Sequence, residues 1–397
     1  MKNLESSLAE VALKALDSFS IEIPSWGFAN TGTRFGKFMQ AAAACTIEEK
    51  FADAAEVNRL TGATPTLALH VLWDLPNGLK DVPEVKRLEQ RFGVRSGSIN
   101  PNLFQDQEYK FGSLCNPSRA IREKALGHLL ASIEIAKALD SRDISLWMAD
   151  GSNYPGTQSM RKRIGWLEEA LRTAHSHLAR NHRLLVEYKP FEPAFYHTDL
   201  ADWGMASHLA SQAGPQARVL VDTGHHYNAQ NIEQIVAWLL HTGMLGGFHL
   251  NDRRYADDDL TLGSIDPYQI FRIFHEIHSA QSEGLPHAVA YMIDQSHNLK
   301  GKIEAMIQTV ITAQELYLKA ALVDRKKLAE LQQDCELVAA EELYRIAFWS
   351  DVRPLTRAWR EARSLPADPL EALRSSGYVE RVAKERANRG QVAGSYA

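Results

Sequence analysis

Two short apolar segments of this chain are followed closely by side chains of the types that bind metal ions. Asp222 and His225 come after the segment VLV, and His249 lies near the end of the segment GGFHL. Asp257 and Asp259 follow soon after. Carboxylates mixed with imidazoles suit a borderline divalent cation such as Mn²⁺, Zn²⁺ or Co²⁺, whereas a Ca²⁺ site consists almost wholly of oxygen ligands. The pattern predicts a metal-dependent enzyme.

Strands that alternate with helices must position these side chains. Short apolar segments, each followed by a helical pattern, recur eight times in about 300 residues, which is typical of an α/β fold of the (β/α)₈ TIM-barrel type. A doubly wound open sheet is the alternative layout. The eight strands are expected near Ile21, Leu67, Val94, Ile144, Leu185, Val219, Gly247 and Val289.

Helices extend the predicted barrel at both ends. The first residues form an amphipathic pattern interrupted by acidic side chains, which indicates an N-terminal helix and not a signal peptide. Beyond Val323 the strand patterns stop and helical patterns continue. We predict a catalytic barrel domain over residues 1–323 and a C-terminal α-helical extension over residues 324–397. Because a closed barrel needs no further elements, contacts between subunits are favoured for this extension over simple self-packing.

Composition excludes several classes of function. A formal net charge of −5 gives no support for a nucleic-acid or anionic-membrane partner. An apolar run of roughly 18 residues, long enough to cross a bilayer, does not occur. The three cysteines stand far apart without CxxC spacing, so neither a disulfide framework nor a thiolate zinc site is indicated. A cytoplasmic enzyme with a small-molecule substrate is the expectation.

Four consecutive predicted strands each end in a potential metal ligand. Glu187 ends the fifth strand, Asp222 the sixth, His249 the seventh and Asp294 the eighth. Active sites of such barrels are built from the carboxyl ends of the strands and the loops after them. These four side chains are therefore expected to enclose one cation with three oxygens and one nitrogen.

A second group of ligands lies one step farther along the chain. His225 follows Asp222 by three residues, and one residue separates Asp257 from Asp259, so both carboxylates would point the same way in an extended loop. These three could hold a second cation, with Glu187 as a bridge between the two. Taken alone, the aspartate pair would more often be a solvated loop or a helix cap.

Further polar and aromatic side chains are candidates for substrate contacts. Lys189 could polarise the substrate or steady a developing oxyanion, although a structural ion pair is nearly as plausible. His70 is expected to donate to a sugar oxygen, with a buried core histidine as the alternative. Four aromatic side chains could form a wall for a sugar, although aromatic residues at strand ends often serve packing alone. They are Trp26, Trp73, Trp147 and Phe35.

Four segments together carry a resemblance to a known family. The segments VEYKPFEP, VDTGHH, GFHLNDRRYADDDL and MIDQSHN resemble the L-rhamnose isomerase family, in its bacterial branch of broad specificity, within the larger xylose-isomerase-like barrel group. The resemblance covers nearly the full chain. It implies a homotetramer that uses two divalent ions per subunit, with Mn²⁺ expected and Co²⁺, Zn²⁺ or Mg²⁺ as alternatives.

The resemblance also implies roles for individual residues. A structural metal would be held by Glu187, Asp222, His249 and Asp294. His225, Asp257 and Asp259 would complete the catalytic metal site, and His70, Trp147 and Lys189 would contact the substrate. Phe35 resembles an aromatic residue that one subunit lends to the pocket of its neighbour.

The implied activity is the interconversion of L-rhamnose with L-rhamnulose, and of other aldoses with ketoses, by moving hydrogen between carbons 1 and 2. A hydride shift is slightly favoured over an enediol route because no unliganded carboxylate stands out as a carbon base. A ketose 3-epimerase would need one metal and two flanking glutamates. A barrel endonuclease would need a basic groove. A noncatalytic sugar-binding module would not need seven ligands.

Overall fold

The computed structural model describes residues 2–30, 32–33, 36–192, 196–255, 257–285, 288–295 and 299–387. Its central feature is a sheet of eight parallel strands, which confirms the predicted (β/α)₈ barrel. In chain order the strands are β1 (Ile23–Pro24), β2 (Thr66–His70), β3 (Arg95–Asn100), β4 (Asp143–Leu146), β5 (Arg183–Glu187), β6 (Ala217–Asp222), β7 (Leu245–Leu250) and β8 (Ala290–Ile293).

The first and last strands meet and close the barrel. The backbone N–H of Glu22 donates to the carbonyl of Tyr291 at 2.8 Å, and the N–H of Ile293 donates to the carbonyl of Glu22 at 2.9 Å. The spatial order of the strands follows the chain without interruption. Because a doubly wound sheet would reverse its strand order at a switch point and keep two free edges, the open-sheet alternative is wrong.

Helices surround the strands of the barrel. The helices that precede or follow barrel strands are α1 (Lys2–Ser18), α2 (Ile47–Thr61), α3 (Val82–Phe92), α4 (Arg119–Ala138), α5 (Met160–Ser176), α6 (Trp203–Ala213), α7 (Ile232–His241), α8 (Pro267–Ser282) and α9 (Lys302–Ala321). Among the described residues, no helix combines the length and apolar character that crossing a bilayer requires. The core between helices and strands includes Phe51, Leu129, Val186, Phe248 and Phe274, all fully buried.

Local sequence signals set the ends of these helices. In α2, the side chain of Thr46 accepts a hydrogen bond from the backbone N–H of Glu49, and the Glu49 carboxylate accepts one from the backbone of Thr46. This reciprocal cap satisfies two N–H groups that have no partner inside the helix. Gly62, with φ of 69°, ends the helix in the left-handed conformation that glycine adopts without strain.

Five further helices pack against the outside of the same barrel. They are α10 (Arg325–Gln333), α11 (Leu337–Trp349), α12 (Arg353–Glu361), α13 (Pro369–Ser376) and α14 (Tyr378–Ala387). Trp359 of α12 donates its indole N–H to Asp17 at 2.8 Å, and Arg386 of α14 donates to the buried Asp53 of α2 at 2.8 Å. The tail therefore binds to its own barrel, while its role between subunits and the domain boundary after residue 323 stay predictions.

Candidate active site

Alternation along the strands brings metal-ligating side chains together inside the rim of the barrel. Successive side chains of a strand point to opposite faces, so residues two apart share a face. Glu187, Asp222 and Asp294 stand at or just beyond the ends of β5, β6 and β8, and each is two residues after an apolar, buried position that points into the barrel. Those positions are Leu185, Leu220 and Met292, which pack together as an apolar layer. The polar side chains thus lie directly above this apolar layer.

Glu187, Asp222, His249 and Asp294 form one tight cluster. Each offers a ligand atom that lies within 4.8 Å of the other three. Nδ1 of His249 is 3.3 Å from Oε2 of Glu187 and 3.6 Å from Oδ2 of Asp294. This buried nitrogen has no hydrogen-bond partner among the described residues. Three carboxylates around an orphaned imidazole nitrogen are a donor set that fits a divalent cation.

The charges of this cluster also favour a cation. Burial acts to lower the pKa of His249, but Glu187, Asp294 and Asp222 raise it to about 10. Burial raises the pKa of Asp222 to about 7, and the nearby carboxylates of Glu187 and Asp294 add to this shift. Several buried carboxylates share one small space, so a positive charge among them relieves their mutual repulsion.

Two groups outside the cluster orient its carboxylates. The Nδ2 amide of the fully buried Asn251 donates to Oδ1 of Asp222 at 3.1 Å and to the backbone carbonyl of Asp294 at 2.9 Å. The indole N–H of Trp26 donates to Oδ1 of Asp294 at 2.9 Å. Sequence reasoning assigned neither contact, although Asn251 follows His249 by two residues and therefore lies on the same side of β7.

The second predicted set is brought together only in part. Nε2 of His225 lies 3.0 Å from Oδ1 of Asp257, and its Nδ1 lies 3.1 Å from the backbone carbonyl of Tyr188 and 3.3 Å from Oε1 of Glu187. Asp259 lines the same cavity. In the part of the chain that the structure describes, this set does not form a cluster with donor atoms all within 4.8 Å of one another.

The loop that carries the aspartate pair is not extended, so that part of the prediction was wrong. Asp257 has φ of 58° and Asp259 has φ of 47°, both in the left-handed region. The backbone N–H of Asp257 donates to the carbonyl of Gly224 at 3.0 Å. This bond ties the loop after β7 to the loop after β6. The positions of these two carboxylates are therefore set by contacts between loops and not by the alternation of side chains along an extended strand.

Lys189 is paired with two carboxylates in the cavity wall. Its Nζ donates to Oε2 of Glu192 at 2.9 Å and forms an ion pair with Asp257. Burial acts to lower the pKa of Lys189, but Asp257 and Glu192 hold it well above its ordinary value. The same Nζ lies 5.1 Å from the centre of the Trp147 ring. The lysine is therefore a fixed positive charge, and Glu192 is a cavity residue that sequence reasoning missed.

An aromatic wall and the metal-ligating cluster line the same cavity of about 430 Å³. The ring of His70 stacks on Trp73 with centroids 3.7 Å apart, and Phe104 packs against Trp147 at 4.9 Å. Trp26 lines the cavity beside them. The prediction for Phe35 lies outside the described residues. Sequence reasoning missed Phe104, and it also missed Asn100, Gln105 and Ser145, of which Asn100 at the end of β3 follows the strand-end rule.

The hydrogen bonds of His70 define which ring nitrogen carries its proton. Nδ1 lies 3.1 Å from the carbonyl of Val71, an acceptor only, so this nitrogen is the donor. Burial lowers the pKa of His70 to about 4. The ring is therefore neutral at neutral pH, and its Nε2 is an acceptor. This direction is opposite to the donor role expected from the sequence.

The chain is similar in sequence to several known proteins. A family model described as "Xylose isomerase-like TIM barrel" matches residues 65–280. A probable sugar isomerase of Rhizobium meliloti (strain 1021) is 38% identical over 382 residues, which cover 94% of this chain and 88% of that protein. A xylose isomerase of Thermus thermophilus is 25% identical over 222 residues, 53% of this chain and 57% of that protein.

Solved structures share the fold. A D-allulose 3-epimerase from Methylomonas sp. is similar with a TM-score of 0.55 and 13% identity, over 74% of this chain and 95% of that chain. An L-ribulose 3-epimerase is similar with a TM-score of 0.52 and 14% identity, over 79% of this chain and 97% of that chain. The model match and the relative at 38% identity decide the assignment: the chain belongs to the xylose isomerase-like TIM-barrel family.

Proposed function

We propose that this protein is a metal-dependent aldose–ketose isomerase that interconverts L-rhamnose and L-rhamnulose, and other aldoses and ketoses, as a cytoplasmic homotetramer. The observation that carries the proposal is the convergence of three carboxylates and one imidazole within 4.8 Å, in a cavity that also has an aromatic wall. The resemblance of the segments around Glu187, Asp222, His249 and Asp294 to L-rhamnose isomerases supports the choice of sugar. The relatives named as probable sugar isomerases support the reaction class.

Two divalent ions fit the proposed chemistry, with Mn²⁺ expected and Co²⁺, Zn²⁺ or Mg²⁺ as alternatives. Glu187, Asp222, His249 and Asp294 would hold one ion. His225, Asp257 and Asp259 would hold the other, with Glu187 between the two sets. When bound, such ions supply Lewis-acid polarisation of a carbonyl and favour the ionised form of a bound hydroxyl.

The ionisable side chains around the cavity have defined tasks. Nδ1 of His225 faces the carbonyl of Tyr188 and Nε2 donates to Oδ1 of Asp257 at 3.0 Å, so both ring nitrogens carry a proton in this arrangement. With an ion bound, Nε2 would lose its proton and serve as the ligand. Lys189 is held protonated next to the cavity and would donate to a substrate oxygen that gains negative charge. Asp257 and Asp259 would move the proton between the two oxygens of the substrate.

The aromatic wall would bind and orient the open-chain sugar. Nε2 of His70 would accept a hydrogen bond from a sugar hydroxyl, since Nδ1 is already committed to Val71. The indole rings of Trp26, Trp73 and Trp147 would cover the apolar C–H edge of the chain and exclude water. The wall thus selects a polyhydroxylated chain, while the ligand clusters select its carbonyl end.

Metal depletion tests the proposal. Removing divalent ions with a chelator should abolish isomerisation of L-rhamnose, and adding Mn²⁺ should restore it. A panel of aldoses and ketoses then defines the breadth of specificity. Activity that persists without metal would contradict the two-metal proposal. Deuterium on carbon 2 that is retained in the product supports a hydride shift, whereas its loss to solvent supports an enediol route.

A ketose 3-epimerase is the second candidate because Glu192 joins Glu187 in the cavity lining, and two glutamates are what that reaction requires. The engagement of Glu192 by Lys189 weighs against this role. Product analysis separates the candidates, since an epimerase converts one ketose into another and forms no aldose.

One substitution tests the second metal set. His225→Asn should abolish activity while the fold stays intact. His208→Asn, at an exposed position, is the matched control and should keep full activity. Full activity of His225→Asn would mean that this set is misassigned.

A further inference from the structure

Arg163 of α5 is a completely buried arginine that reaches three different loops of the barrel rim. Its Nε lies 3.0 Å from Oδ1 of Asp199, and its Nη2 lies 2.6 Å from Oδ2 of the same carboxylate. Its Nη1 donates to the carbonyls of Phe111 at 3.1 Å and Cys115 at 3.2 Å, and also contacts the amide oxygen of Gln158. These partners belong to the loops after β3, β4 and β5.

Asp150 also joins the same three loops. Its Oδ1 accepts from the backbone N–H of Ser113 at 2.7 Å, and its Oδ2 accepts from that of Cys115 at 2.9 Å. Its backbone carbonyl accepts from the N–H of Asp199 at 2.9 Å. Asp150 and Asp199 also lie close to the Cys115 thiol. Arg163 already supplies the positive charge for these carboxylates, so their proximity needs no metal ion to explain it.

This network continues into the candidate substrate pocket. Trp147 precedes Asp150 by three residues in the loop after β4. The backbone N–H of Lys189 donates to the carbonyl of Leu200 at 3.0 Å, immediately after Asp199. Lys189 and Trp147 then meet, with Nζ 5.1 Å from the ring centre. The loops that set this distance are the loops that Arg163 holds.

We propose that Arg163 is a positioning residue that holds Lys189 and Trp147 in their mutual geometry on the substrate side of the pocket. It acts through Asp199 and the loop backbones and has no contact with the metal-ligating cluster. Only the roles of Lys189 and Trp147 rest on the proposed function. The connection of the loops rests on the hydrogen bonds alone. Its loss should therefore weaken substrate binding without weakening the binding of an ion by Glu187, Asp222, His249 and Asp294.

The test compares two variants with one matched control. Arg163→Met removes all the donors, and Asp199→Asn is a milder change that keeps the shape of the partner. Arg183→Met is the control because Arg183 is also largely buried and donates to Asp143 at 2.7 Å, but at the opposite end of β5. Amide hydrogen exchange, KM for L-rhamnose and the Kd for Mn²⁺ are measured for each in the full-length protein.

We expect faster exchange in peptides covering residues 147–158 and 196–202 of both variants. KM should rise about tenfold, because misplaced binding groups weaken substrate binding by at least this factor. The Kd for the Mn²⁺ ion held by Glu187, Asp222, His249 and Asp294 should change by less than about twofold. The control should lose stability with none of these changes. If Arg163→Met fails to fold, the results for Asp199→Asn alone decide whether the proposal holds.

Unchanged exchange in those peptides would overturn the proposal. Faster exchange with an unchanged KM would also overturn it, and so would a rise in KM that Arg183→Met reproduces. A parallel loss of Mn²⁺ affinity at the cluster of Glu187, Asp222, His249 and Asp294 would also overturn it. If the wild type isomerises no sugar, the proposed function fails, while the exchange experiment still decides whether Arg163 holds these loops.

Discussion

The indole Nε1 of Trp26 donates a hydrogen bond of 2.9 Å to Oδ1 of Asp294, and this bond connects the segments that follow the first and the last strand of the barrel. Trp26 follows β1 and Asp294 follows β8, so the contact spans the seam where the barrel closes. Trp26 belongs to the aromatic wall, and Asp294 belongs to the metal-ligating cluster. One hydrogen bond therefore couples the orientation of a ligand to the aromatic wall beside it.

Trp26→Phe keeps the aromatic wall and removes this donor. We expect the affinity for Mn²⁺ to fall about tenfold, since outer hydrogen bonds orient metal ligands and their loss typically costs this much. Isothermal titration calorimetry with Mn²⁺ measures the change. Trp73→Phe is the matched control because its indole donates to Gln105 and not to a ligand. Equal affinities of the two variants would contradict the expected coupling.

His70→Asn should reduce the sensitivity of the protein to acid. The pKa of His70 in the folded chain is about 4, below the value of about 6.5 in an unfolded chain. The folded state therefore binds this proton less readily, and the stability that neutral His70 contributes is complete above pH 6.5 and is lost as the pH falls toward 4. The loss is about 3 kcal/mol at most.

Urea unfolding at pH 7 and pH 4.5, with a chelator present throughout, measures this effect. Asparagine can keep the donor toward Val71 but does not titrate, so the variant should lose less stability between the two pH values than the wild type. The exposed His208→Asn should behave like the wild type. A decline of equal size in His70→Asn and the wild type would contradict the shifted pKa.

Gly97→Ala should destabilise the end of the barrel opposite the candidate site. A Cβ at this position would lie 1.6 Å from Oε2 of Glu22. The Glu22 carboxylate cannot move aside freely, because it accepts from the backbone N–H of Ser98 at 2.9 Å and from the hydroxyl of Thr66 at 3.1 Å. We expect a loss of about 3 kcal/mol in the free energy of unfolding.

Gly127→Ala is the matched control for that loss. Gly127 lies within α4, and nothing stands within 4 Å of the Cβ that alanine would add. Because alanine favours a helix over glycine, this change should stabilise the protein by about 1 kcal/mol. Denaturant unfolding measures both variants. A Gly97→Ala protein as stable as the wild type would mean that Glu22 is not held in place.

The sequence by itself determined the barrel and the four residues of the tight cluster. Alternating apolar segments and helical patterns predicted eight strands, and the rule that ligands follow strand ends selected Glu187, Asp222, His249 and Asp294. This inference works because strand periodicity is local: the direction of each side chain follows from its place in its own strand. Parallel strands of a barrel then bring their ends to one rim.

Only the tertiary structure decided the loop contacts. It paired Lys189 with Asp257 and Glu192, turned the loop of Asp257 into the left-handed conformation, and buried Arg163 between three loops. Loop residues follow no period, and their positions depend on hydrogen bonds to partners tens of residues away in the chain. Such contacts leave no repeating signal in the sequence, so the four ligands of the tight cluster were predictable and the loop contacts that orient Lys189 and Trp147 were not.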